Sequence, residues 1–108
     1  MGDLADFGLP KDTIDKIWQV FKQHPQIESA VLYGSRAKGN ARPGSDIDLT
    51  LFGGSLSTQL LANIIDELDD LLLPYMIDLS IFDNIQNAYL KMHIERVGKI
   101  FYKAEKEN

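Results

Sequence analysis

The chain contains no cysteine. That absence removes disulfides, thiolate nucleophiles and zinc–thiolate sites together. Positive charge is the minority: 11 Lys and Arg stand against 16 Asp and Glu, a formal net charge of −5. No global positive field exists to hold a nucleic-acid backbone, so nucleic acid is not expected as a partner. A local basic spot at Arg36, Lys38 and Arg42 is the exception. No apolar run approaches the ~20 residues of a membrane span, and nothing near the first residues reads as a basic stretch followed by an apolar core. No membrane association is expected, and the expected compartment is cytoplasmic. Internal repeats, low-complexity tracts and linkers are absent as well.

What remains is an ordinary globular composition, 44% apolar and 25% charged over 108 residues. That is enough chain for one domain, residues 1–108, around a single two-layer core. "PKDTIDKIWQVFKQHP" places Ile14, Ile17, Trp18 and Phe21 at helical spacing, with Trp18 and Phe21 expected in the core. Pro10 suits a first turn, Asp12 and Asp15 favour the positive end of the helix dipole, and Pro25 stops the run. His24, at that helix end, is expected to meet terminal carbonyls. "IESAVLY" (27–33) reads as a strand with an interior end, and "DIDLTLF" (46–52) as a second, closed by Gly53 and Gly54.

From Ser57 to Leu73 the apolar residues form one broad helical stripe; Asp66, Glu67, Asp69 and Asp70 lie off it as a solvated face. "YMIDLSIF" (75–82) is a third strand, and "NAYLKMHIERV" (87–97) a helix with Leu90, His93, Ile94 and Val97 inward. His93 is expected as a core or boundary histidine. "KIFYK" (99–103) closes the sheet, and "AEKEN" reads as a frayed tail. The order α-β-β-α-β-α-β argues an α/β (α+β) fold, a mixed four-stranded sheet with helices packed mainly on one face. A right-handed crossover makes strands two and three parallel. Strands one and two are joined by only about a dozen residues, which favours antiparallel pairing.

"YGSRAKGNARPGSDIDLTLF" (33–52) then becomes the informative window. Residues alternate across a strand, so Asp46 and Asp48 share one face. If strand three runs parallel to strand two, Asp78 joins them at the same end of the sheet. Three ionised carboxylates without partners are unfavourable there. Either one keeps its proton or a divalent cation sits among them. Oxygen ligands without a nearby His or Cys point to Mg²⁺, with Mn²⁺ as the other candidate. Two ions about 3.5–4 Å apart can clamp the attacking and leaving oxygens of a phosphoryl transfer. Gly34 lets backbone approach a phosphate, Ser35 offers an N–H and a hydroxyl, and "SRAK" can open a short helical turn toward the anion. Arg36 suits a bidentate phosphate contact, Lys38 adds charge, and Arg42 is a weaker candidate. Tyr33 directly precedes the Gly-Ser step, which offers it a place lining the nucleotide pocket, with strand packing as its expected role.

"GSRAKGNARPGSDIDL" resembles the G-S-x10-D-x-D signature of the DNA polymerase β-like nucleotidyltransferase superfamily, and "IDL" at 77–79 its third-carboxylate motif. Length and wording look most like the minimal nucleotidyltransferases (MNT proteins), over essentially the whole chain. The resemblance implies that Asp46 and Asp48 coordinate both metals and that Asp78 ligates the catalytic one and helps activate the acceptor hydroxyl. It implies that Gly34, Ser35 and Arg36 hold a nucleoside triphosphate, ATP by inheritance. Minimal members commonly accompany a HEPN-domain protein, often a toxic RNase, and act as antitoxins that can place AMP on a tyrosine of that partner. Larger members carry a further domain for the acceptor, so here the acceptor surface is expected from a bound protein or a second copy, a homo- or hetero-oligomer. The alternative is a non-catalytic nucleotide-binding antitoxin that neutralises its partner by complex formation. A third reading is transfer to a small molecule with a helper chain, as in aminoglycoside nucleotidyltransferases.

Overall fold

The computed structural model describes residues 6–39, 42 and 44–105. Within them the chain forms helix α1 (Lys11–Lys22), strand β1 (Ser29–Tyr33), a single-turn helix α2 (Ser35–Lys38) and β2 (Ile47–Phe52). Helix α3 (Thr58–Asp69), β3 (Ile77–Ile81), α4 (Ala88–Val97) and β4 (Lys99–Lys103) follow, with 3₁₀ turns at Asp6–Gly8 and Phe82–Asn84. The expected order is reproduced, and "SRAK" is indeed a helical turn. Asn40, Ala41 and Pro43 of the loop before β2, and the tail past residue 105, lie outside the described residues.

The strands form one mixed sheet in the order β3-β2-β1-β4. β1 pairs antiparallel with β2 and with β4, while β2 and β3 are parallel, as the crossover rule requires. Alternation sends Ala30, Leu32, Ile47, Leu49, Leu51 and Leu79 to one face, where they join Ile17, Phe21, Ile64 and Leu68 of α1 and α3 in the core. Each such fully buried aliphatic side chain stabilises the fold by about 1.5–3 kcal/mol. The opposite face carries Val31, Tyr33, Asp48, Thr50, Asp78 and Ser80. Helix α4 lies on the β1 side of that second face, with the His93 ring edge-on to Tyr33 at 6.3 Å. Gly98 permits the approach: a Cβ there would collide with the Ile94 carbonyl oxygen and with Val31.

The helices start where their caps place them. Ser57 Oγ accepts from the Leu60 amide (3.1 Å), and Asn87 Oδ1 accepts from Tyr89 and Leu90 (2.9 and 3.1 Å). Helix α1 has no side-chain cap; exposed pairs Lys11–Asp15 and Lys16–Asp12 at i, i+4 give it modest support.

Three expectations change in detail. The buried stripe of α1 is Thr13, Ile17, Val20 and Phe21, and Trp18 is 36% exposed. The indole N–H donates to the Phe101 carbonyl (2.9 Å), which draws Trp18 to the rim above β4. The His24 side chain reaches across to Glu67 on α3 (2.8 Å) instead of to its own helix end. Glu67 thereby leaves the solvated acidic face, whose other members Asp66, Asp69 and Asp70 are exposed. No helix among the described residues is long and apolar enough to cross a membrane.

Leu72, just past α3, has φ +55 and is 87% exposed. A branched side chain in the left-handed region is strained and gains nothing from burial there. Leu72→Gly is expected to stabilise the protein by about 0.5–1 kcal/mol in urea unfolding, with an unchanged slope.

Candidate active site

The sheet register decides where the chemistry converges. Asp48 pairs with Tyr33 on one side and with Asp78 on the other, so the three side chains stand in one row across β1, β2 and β3. The next row on the same face contains Thr50 and Ser80, whose hydroxyls hydrogen-bond at 2.9 Å, Ser80 donating. Asp46 precedes β2 two residues before Asp48. The Ile47 amide between them donates to the Met76 carbonyl (2.9 Å), which locks the start of β2 beside the start of β3.

Asp48 is half-buried, while Asp46 and Asp78 are exposed. Burial raises the Asp48 carboxyl above the ordinary carboxylate range, the charges of Asp78 and Asp46 raise it further, and His93 opposes them. The same row acts on the Tyr33 phenol. Burial raises it, as do Asp78 and Asp48, while the Ser80 hydroxyl beside it pulls the other way. The end of the sheet is thus a concentration of carboxylate charge with oxygen donors, and the His93 ring stands near it, where sequence reasoning expected no histidine. That chemistry suits a hard divalent cation. Among the described residues no three His, Cys, Asp or Glu side chains form a ready-made metal cage. The row is an open edge with the Asp48 and Asp78 carboxylates in register and Asp46 two residues before Asp48.

Gly34 completes the edge. It has φ +78 and ψ −155, a conformation essentially reserved for glycine, and a Cβ there would overlap Asp48 Oδ2. Backbone and carboxylate are therefore in close apposition. Ser35 and Lys38, at the two ends of α2, are exposed. The opening amides of such a turn have no helical acceptor and can face an anion.

Arg36 departs from its expected role. Its side chain is 4% exposed and points inward. Nε and Nη2 donate to the Ser45 carbonyl (3.2 and 2.8 Å), and Nη1 donates to the carbonyls of Phe7 and Gly8 (2.9 and 3.3 Å). The guanidinium also lies over the Tyr75 ring, 5.2 Å from its centroid. A fork so engaged is not available as a bidentate phosphate clamp. Sequence reasoning gave Arg36 a bidentate phosphate contact, but α2 turns this position inward, onto the Ser45, Phe7 and Gly8 carbonyls. Arg42 is exposed in a turn closed by its amide on Ser45 Oγ (2.9 Å). His93 is the neighbour that sequence reasoning missed. Its apolar helical stripe signalled burial, and nothing local revealed that α4 covers the acidic face.

The mixed four-stranded sheet with its helices, and a carboxylate row at one end, is the fold of a polymerase β-like nucleotidyltransferase. The chain belongs to the polymerase beta nucleotidyltransferase family: the family model described as Polymerase beta, Nucleotidyltransferase matches residues 15–107. No curated protein matches the chain. Among solved structures, the fold is similar to a toxin–antitoxin complex determined with AMP-PNP, at TM-score 0.67 and 20% identity over 85% of this chain and 74% of that one. It is similar to the MntA–HepT toxin–antitoxin complex, at TM-score 0.64 and 18% identity over 88% and 74%. A third is the complex of a tri-AMPylated Shewanella oneidensis HEPN toxin with its MNT antitoxin, at TM-score 0.63 and 18% identity over 87% and 72%.

Two outcomes follow from the crowding at Asp48. Its raised carboxyl costs stability as pH rises from the ordinary carboxylate range through the raised value, because the folded state holds the proton more tightly. Asp48→Asn is therefore expected to melt higher than the parent at pH 7, with the gain vanishing below the carboxylate range, in thermal unfolding across pH. Gly34→Ala is expected to cost about 1–3 kcal/mol from its backbone conformation alone, read by denaturant unfolding, and to push Asp48 out of the row.

Proposed function

We propose that the chain is a divalent-metal-dependent nucleotidyltransferase that moves a nucleoside monophosphate, AMP from ATP, to a hydroxyl on a protein partner. The proposed acceptor is a tyrosine of a HEPN-type toxin, and the biological role is that of antitoxin. The observation that carries the reading is the register row in which Asp48 stands between Tyr33 and Asp78, with the Gly34 bend against the Asp48 carboxylate. Family membership supports the reaction class. Similar folds occur in an antitoxin complex solved with AMP-PNP and in one whose HEPN toxin is AMPylated, which supports the donor and the partner.

In this mechanism Asp46, Asp48 and Asp78 would hold one or two Mg²⁺ ions, with Mn²⁺ as a substitute. Bound there, the metal supplies neutralisation of phosphate charge and Lewis-acid polarisation. The Gly34–Ser35 bend, the Ser35 hydroxyl and exposed Lys38 orient the triphosphate. Asp78, exposed at the edge of the row, takes the proton of the acceptor hydroxyl. The acceptor oxygen bonds to the α-phosphorus as the bond to the bridging oxygen breaks, and pyrophosphate carries away the electron pair. Tyr33 and His93 wall the site on the α4 side.

The test is incubation of the full chain with α-labelled ATP, Mg²⁺ and its purified HEPN-type partner. Label is expected on the partner and not on this chain. Asp46→Asn/Asp48→Asn is expected to lower labelling about a hundredfold or more while leaving the fold intact. Tight complex formation without label would instead select neutralisation by binding alone.

A further inference from the structure

The contacts of Arg36 reach every segment that builds the acidic edge. Its backbone belongs to the turn opened by Gly34 and Ser35. Its fork closes on the Ser45 carbonyl, one residue before Asp46. Its plane lies over Tyr75, three residues before Asp78. Its remaining nitrogen takes two successive carbonyls, Phe7 and Gly8, both in the left-handed region at φ +65 and +68. Glycine adopts that conformation freely, but phenylalanine does so under strain, and two consecutive residues so turned aim both carbonyls at one nitrogen. The Phe7 ring is held 5.5 Å from Phe101 in the core, which anchors that turn. A buried guanidinium requires such acceptors, because an unsatisfied one is strongly penalised.

We infer that Arg36 is the positioning residue of this site. It sets the Gly34–Ser35 bend, the Asp46 end of β2 and the start of β3 against one another from beneath, without touching phosphate. The inference rests on the acidic row being a metal and triphosphate site. Its consequence is that metal affinity, measured without nucleotide, depends on a residue that is not itself a ligand. Losing the support of a metal ligand typically lowers affinity by about tenfold or more. Lysine keeps the charge but cannot make the fork, so Arg36→Lys separates position from electrostatics.

The experiment titrates the full-length protein and Arg36→Lys with Mn²⁺ alone, and with ATP, alongside amide hydrogen exchange. Support is a roughly tenfold loss of Mn²⁺ affinity, faster exchange at residues 44–47, and unchanged exchange at Leu49 and Leu51 in the core. Unchanged Mn²⁺ affinity overturns the inference; if ATP affinity alone falls, Arg36 grips phosphate after all. Gly8→Ala is the second variant, because its Cβ would stand 3.3 Å from Nη1 and so disturbs the same tie from the opposite partner. It is expected to shift Mn²⁺ affinity in the same direction, and it carries the test if Arg36→Lys does not fold. Absence of Mn²⁺ binding by the unaltered protein overturns the functional reading. Exchange at residues 44–47 then decides the tie: faster in the variants supports it, and unchanged overturns it.

Discussion

The in-register parallel pairing of β2 with β3 is the constraint on which the site depends. It sets Asp48 directly beside Asp78, and the antiparallel pairing with β1 sets Tyr33 on the other flank. A slip of one residue along β3 would turn Asp78 toward the apolar core and bring Leu79 or Ile77 into the row. That core holds the register: Leu49, Leu51 and Leu79 are buried on the far face, so a one-residue slip would also bury a carboxylate. Hydrophobic burial on one side of the sheet thus enforces charge crowding on the other.

The crowding is tolerated because the two exposed members of the acidic group can reach solvent and only Asp48 is partly withdrawn from it. The proposed cation would find oxygen donors already repelling one another, and binding it would relieve crowding that folding imposed. The opposite sign is stored just below, in the Arg36 guanidinium and its carbonyl cradle. Buried charge placed in this way acts through geometry more than through attraction, since its hydrogen bonds bind neighbouring segments together.

Helix α4 gives the acidic face a side wall. Gly98 lets the end of the helix press on β1, and His93 and Tyr33 meet edge to face beside Asp48. Among the described residues the β3 flank has no such wall: Asp78 is exposed on an edge strand, and Met76 before it is 73% exposed. The face is consequently asymmetric, closed toward β4 and open toward β3. The proposed protein acceptor would reach Asp78 from that open flank.

Sequence alone determined the order and type of the elements, the two faces of each strand and the placement of Asp48 and Asp78 at one end of the sheet. Those features follow from short-range periodicity and from the handedness of one crossover, which every strand–helix–strand unit obeys. Tertiary structure decided which surface each apolar stripe meets. It turned Arg36 inward, carried Trp18 to the rim, joined His24 to Glu67 and laid α4 with His93 over the acidic face. Periodicity tells which side of an element is covered but not what covers it. The partner of a long polar side chain is chosen by packing between segments far apart in the chain.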